Sequence, residues 1–281
     1  MGLVGLVGLA GCAKPPPPIS QAALLSEKGQ DAAAIQVLVA HVHAHPDAIP
    51  ERRMLIRLYG ATGDLGKAEE QASELSRRLP DGSPVPLLEM GHVLELSHRY
   101  DEALEMYDRA AEIAPKDPAG PRTGGLRAAR WGEAELAAPR LEEALRRDPR
   151  DAVVWHALGL VRTHLGDIDG ARVAYRSGLM ADPNALENRV GLATVALRSG
   201  DASGALAQYD QILAARPGFA AGHLGRAWSL IRLGRLDEAR TALDEAARLG
   251  ADARVIERQR RLLARLAREH RDASDATEKA P

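Results

Sequence analysis

Six prolines, Pro46, Pro80, Pro115, Pro149, Pro183 and Pro217, recur at a nearly constant interval, with one step a single position longer than the others. Ala34, Ala68, Ala103, Ala137, Ala171, Ala205 and Ala239 keep the same register. So do Gly29, Gly63, Gly132, Gly166, Gly200 and Gly234, with the third copy skipped. A fixed period of this kind means one supersecondary unit copied along the chain. No copy buries its apolar face alone, so each must stack on its neighbours. Seven units follow: 15–48, 49–82, 84–117, 118–151, 152–185, 186–219 and 220–253, with Ser83 as a single insertion.

Only 3% of the residues are aromatic, so large rings cannot fill the core. Ala, Leu, Arg and Glu dominate instead, which suits helices packed closely through small side chains. Ala and Gly fall where two helices approach, and Leu and Tyr at spacings of three and four fill the remaining space. The prolines end the second helix of each unit, because the residue before proline avoids helical angles. Asp117, Asp151 and Asn184 stand where the next helix begins and are expected to accept its free N–H groups. Gly124-Gly125 and Pro139 weaken unit 118–151 and make it the expected place for a bend, unless an altered helix start absorbs Pro139.

In residues 152–185 the pattern is clearest: Trp155, Leu158 and Gly159, then Gly166-Asp167, then Ala171, Tyr175 and Pro183. These residues resemble the tetratricopeptide repeat, a helix-turn-helix unit of about 34 residues. The resemblance covers about nine-tenths of the chain. It implies an all-α, right-handed solenoid of about seven repeats over residues 19–253. It also implies a concave groove, lined by first-helix residues, that takes a protein or peptide partner. Projecting the register places Leu126, Arg130, His156, Leu160, His164, Thr194, Leu197, Arg198, Leu224, Trp228, Ile231 and Arg232 there. Trp155 and Trp131 read as core. Trp228, with Leu224 and Ile231, reads either as a binding anchor or as a residue buried under the helix that follows. The Lys and Asn pattern of chaperone-binding carboxylate clamps is absent, so no C-terminal acidic motif is expected as ligand.

Residues 254–270 break the period. Val255, Gln259, Leu262, Leu263, Leu266 and His270 share one helical stripe with Arg on the other faces, the pattern of a capping helix. A membrane surface or an acidic partner is the alternative use of its positive charge. Residues 271–281 read as a disordered tail.

At the other end, residues 2–11 are Gly, Leu, Val and Ala only and stop at Cys12, the single cysteine. Leu9-Ala10-Gly11-Cys12 resembles the lipobox of bacterial lipoproteins. The resemblance implies a signal peptide over 1–11, cleavage before Cys12, lipid on its sulfur, and a proline-rich spacer over 12–18. Ala13 in place of Asp favours the periplasmic face of the outer membrane. The apolar run lacks a preceding Lys or Arg, which points to a basic leader upstream.

Catalytic signatures are missing. The stretch "GATGDLGKAEE" has Ala61 and Ala68 where a phosphate-binding loop needs Gly and a hydroxyl residue. His41 and His45 share a helix face, but two imidazoles fall short of a zinc site. A formal net charge of −2 gives no cationic excess for wholesale nucleic-acid binding. The expectation is therefore a non-enzymatic scaffold without metal or cofactor, working through its groove and held to a membrane through Cys12. Its layout resembles the repeat lipoproteins of Flp/Tad pilus assembly and the pilotins of type IV pilus secretins. An adaptor for peptidoglycan hydrolases and a cytoplasmic regulator with a misplaced start are the other readings.

Overall fold

The computed structural model describes residues 16–278, and these form fifteen α-helices and no strand. Two compact units divide at Pro115 and Lys116. The first holds three antiparallel pairs: α1 (Pro18–Glu27) with α2 (Asp31–Ala44), α3 (Ile49–Ala61) with α4 (Leu65–Ser76), and α5 (Val85–Leu96) with α6 (Tyr100–Ile113). The second holds four: α7 (Ala119–Trp131) with α8 (Ala134–Arg147), α9 (Ala152–His164) with α10 (Ile168–Ala181), α11 (Leu186–Arg198) with α12 (Ala202–Ala215), and α13 (Ala220–Arg232) with α14 (Leu236–Arg248). The last helix, α15 (Ala253–Glu278), lies against α13 and α14. The chain thus folds as the all-α helix-pair array that its period requires.

The alanine column explains the pairing. All seven of its residues are 0% exposed, from Ala34 to Ala239, so any larger side chain there would wedge its pair apart. Glycine does the same on the facing helix. A Cβ on Gly125 would lie 2.9 Å from the Leu141 side chain, and one on Gly159 would lie 2.5 Å from the Tyr175 ring. Gly125 is therefore a close-packing device rather than a weakness. Helix α8 also runs unbroken from Ala134 to Arg147 with the exposed Pro139 inside it. The division between units falls just before this repeat, at Pro115.

Within a pair, the turn is set by a residue with positive φ. Gly63, Gly132, Gly166, Gly200 and Gly234 take φ between 73° and 89°, which only glycine adopts without cost. The skipped position in the column is His98, which is held at φ 58° and bonded through Nδ1 to the Tyr100 hydroxyl at 2.9 Å. His98→Gly is expected to stabilise the first unit by about 0.5–1 kcal/mol by removing the Cβ penalty of that conformation. A urea midpoint that stays put or falls would show that the Tyr100 bond outweighs the strain.

Aspartates cap the helices after the turn. Asp64, Asp167 and Asp201 accept N–H bonds from Lys67, Gly170 and Gly204. Between pairs, Asp151 accepts from Val153 and Val154 at 3.0 Å each, and Asp117 accepts from Ala119 at 2.8 Å. Asn184 departs from its expected role. Helix α11 starts one residue later, with Ala185 at the cap and no side-chain bond. Asn184 is instead held from behind, its own N–H donating to Asp182 at 2.9 Å.

The capping helix is longer than the sequence pattern gave. It continues to Glu278, so residues 271–278, expected as a disordered tail, are helical. Of the expected stripe, Gln259 and Leu263 are buried and Val255, Leu262 and Leu266 are half-buried, while Ile256, outside that stripe, is also buried and packs with Leu230, Ile231 and Leu243. The expected signal peptide over 1–11, Cys12 and most of the expected proline spacer lie outside the described residues.

Candidate functional site

In the second unit the first helices stand in a row, and two cavities open along it. The first, about 470 Å³, lies between α7 and α9 and is lined by Leu126, Arg130, His156, Leu160 and His164 together with Val153. The second, about 440 Å³, lies between α9 and α11 and shares His156 and Leu160 with the first. Its other walls are Leu186, Val190, Thr194 and Phe219, with Glu187 and Arg216 at the edge. The floor is aliphatic because each first helix presents a residue every three or four positions toward the row. Leu160 and Val153 are 52% and 57% exposed and share the wall of the first cavity, so their apolar surface is open to a ligand there.

His156 stands at the junction. Its ring lies 6.0 Å from that of Tyr175, and burial pushes it below the usual imidazole value, with Glu187 opposing in part. The neutral ring thus belongs to the apolar floor, and the polar groups sit at the rims. Such a surface can bury bulky aliphatic or aromatic side chains and fix their direction by a few peripheral charges.

The remaining projected residues separate. Leu197 packs into the Ala193, Ala205 and Tyr209 cluster, and Arg198 donates to the Thr163 carbonyl at 3.3 Å; neither lines either of these two cavities. On α13, Ile231 is only 6% exposed and is part of the cluster with Ile256 and Leu263, with Leu224 packed beside it. By the repeat register α13 would be an open first helix, but α15 lies across it. Ile231 is therefore a core residue. Trp228 is half-buried and Arg232 is exposed. Trp131 and Trp155, read as core, are half-buried, and the Trp155 indole donates to the Pro149 carbonyl at 2.8 Å.

The first unit holds a cavity that the projection omitted. About 580 Å³ in volume, it is lined by Ile19, Met54, Leu58 and Leu96 with Arg53, Arg57 and His92. Glu89, 2% exposed, lies behind it and fixes both guanidiniums: Arg53 Nε donates at 2.7 Å, and Arg57 donates through Nε at 2.6 Å and Nη2 at 2.8 Å. Burial opposes ionisation of Glu89, but the two arginines hold its carboxyl below the usual carboxylate range. The register itself contained the signal, since His92 and Leu96 stand one full period before Leu126 and Arg130. His41 and His45, weighed as a metal pair, stack with ring centroids 4.6 Å apart, and His41 Nε2 lies 4.0 Å from Glu51.

Known proteins share this architecture. The C-terminal part of a TPR repeat-containing protein from Cytophaga hutchinsonii superposes with a TM-score of 0.64 at 16% identity, covering 85% of this chain and 98% of that one. YrrB, described as a TPR protein with an unusual peptide-binding site, gives 0.60 at 18% identity over 69% of this chain and 99% of its own. In sequence, the heat-shock protein cognate co-chaperone sgt12 of Aspergillus fumigatus is 31% identical over 116 residues, 40% of this chain and 34% of the co-chaperone. A TPR repeat-containing protein of Pseudomonas aeruginosa is 42% identical over 48 residues, 17% of this chain and 46% of that protein. The chain thus spans less than half the length of either relative. Family models described as tetratricopeptide repeat match residues 87–117, 123–185 and 190–254, together more than half of the sequence. Period, buried alanine column, helix pairing and these matches agree, and the chain belongs to the tetratricopeptide-repeat family.

Proposed function

We propose that this protein is a scaffold that holds an apolar-anchored segment of a protein partner along α7, α9 and α11, at the periplasmic face of an outer membrane. The observation that carries the binding reading is the pair of adjoining cavities that share His156 and Leu160. Their aliphatic floors and charged rims suit two bulky side chains of one polypeptide, whose burial supplies the binding energy. Support for the membrane comes from the sequence alone: the apolar run that ends at Cys12 and the prolines that follow. Lipid on Cys12 would confine scaffold and partner near one surface and raise their effective concentration. The layout of lipobox, proline spacer and repeats favours a role in assembling an envelope complex, with pilus or secretin biogenesis as the specific case.

A photo-crosslinking residue at Val153 in intact cells tests this directly. It should capture an envelope protein, a secretin or pilus subunit on the specific reading. Leu160→Glu should cut capture about tenfold, because the partner would then bury a carboxylate without a bonding partner. The helical signal and melting temperature should stay near wild type, since Leu160 is half exposed. Capture that is indifferent to Leu160→Glu would remove the cavities from the binding surface, and a captured cell-wall hydrolase would replace the pilus reading by the adaptor reading. Acyl labelling that persists in Cys12→Ala would remove the anchor.

A further inference from the structure

Helix α15 presents a second surface, opposite the stripe that packs on α13 and α14. Arg254, Arg258, Arg261, Arg265 and Arg268 follow one another at steps of four, three, four and three residues, all exposed. At 3.6 residues per turn they fall within an arc of about 80° and form a row about 21 Å long. Arg260, off this row, holds the helix in place by donating to Asp244 at 2.6 Å. Within the row Arg261 pairs with Glu257 and Arg265 with Glu269. Arg254, Arg258 and Arg268 carry no ion pair among the described residues.

Helix α6 in the first unit carries the complementary row. Asp101, Glu105, Asp108 and Glu112 step by four, three and four residues, and Asp101, Glu105 and Glu112 are exposed. The helix has five carboxylates and one arginine, Arg109. Asp101, Glu105 and Glu112 carry no ion pair among the described residues. Two helices whose opposite charges repeat at the same heptad-like interval can lie side by side with each charge facing a partner, as flanking charges do in coiled coils.

We propose that the arginine row of α15 docks on the acidic row of α6 of a second copy of this chain. A continuous anionic surface is a poorer occupant, because Glu257, Glu269 and the exposed Asp272 flank or end the row and would be repelled by it. The apolar stripe of α15 is already buried, so the helix cannot turn it toward a bilayer. The contact is held by exposed ion pairs and covers less than the roughly 1,200 Å² of a stable interface. It is therefore transient and sensitive to salt.

The test is sedimentation of the full chain as Cys12→Ser, which removes any lipid from the measurement. At about 0.02 M salt the average mass should rise above the 30.1 kDa of one chain as concentration increases, and at about 0.5 M it should return to that value. The variants Arg258→Glu with Arg265→Glu, and Glu105→Arg with Glu112→Arg, should each weaken association at least about tenfold at low salt. Mixed in equal amounts they should associate again, because each reversed row then faces its complement on the other variant. Wild type that stays monomeric at low salt, or reversed variants that associate as well as wild type, would overturn the proposal. So would a mixture that fails to recover, or pelleting with phosphatidylglycerol vesicles without self-association.

Discussion

Gly191→Val should destabilise the second unit by about 3 kcal/mol, measured as a loss in urea stability of the full chain. The cause is one ring. Tyr175 is 1% exposed and lies against two glycines at once, Gly159 of its own helix pair and Gly191 of the next. A Cβ on either would overlap the ring edge, at 2.5 Å for Gly159 and closer still for Gly191. With both sides occupied, the ring has no direction in which to yield. Tyr175→Ala should cost a comparable ~3–5 kcal/mol by the opposite route, an unfilled cavity. The informative comparison is Gly191→Val in a Tyr175→Leu background, where the two losses should fall well short of their sum because they share one contact. Additive losses would mean that Gly191 matters for something other than the ring.

Removing both arginines around Glu89 should destabilise the first unit by about 3 kcal/mol near neutral pH, and removing Glu89 itself should cost less. The asymmetry follows from burial. Glu89 is 2% exposed, whereas the Arg53 and Arg57 side chains are 43% and 50% exposed and can turn to water when their partner goes. Arg53→Ala with Arg57→Ala strands a carboxylate in the core, which then favours its protonated form. The pH dependence separates the cases. In the native protein the carboxyl titrates below its usual value, so its contribution is complete above about pH 4.3 and lost as pH falls through the lowered value. In the double arginine variant the same carboxyl titrates above its unfolded value, so acid helps that variant. Its stability deficit should therefore narrow toward about pH 4, and a deficit constant across that range would show that Glu89 is not its source.

Much of this was legible in the sequence because a repeat period is itself a packing constraint. The alanine column could be read as buried, since helix pairs stacked at that period leave room there for only a methyl group. Leu126, Arg130, His156, Leu160 and His164 could be projected onto one surface for the same reason, and the structure brings all five together around one cavity. What stayed hidden depended on contacts without local periodicity. The break at Pro115 has the same proline that closes other pairs and no further mark in sequence. The covering of Ile231 by α15 requires knowing where a non-repeating helix lies. Glu89 gathers arginines 32 and 36 residues away, which a single-repeat pattern does not reveal. His98 stood out only as a gap in the glycine column, and its left-handed backbone shows that the turn keeps its geometry without glycine.

The placement of Tyr175 between glycines of successive helix pairs has an implication for how such a chain can change length. The ring and one of its two receptors belong to different copies, so the unit that can be excised or duplicated cleanly runs from one interlock to the next. Excising residues 186–219 would bring Gly225, which already receives the ring of Tyr209, opposite Tyr175 in the same register. Arrays of this kind can therefore shorten or lengthen in whole steps while every surviving joint still closes.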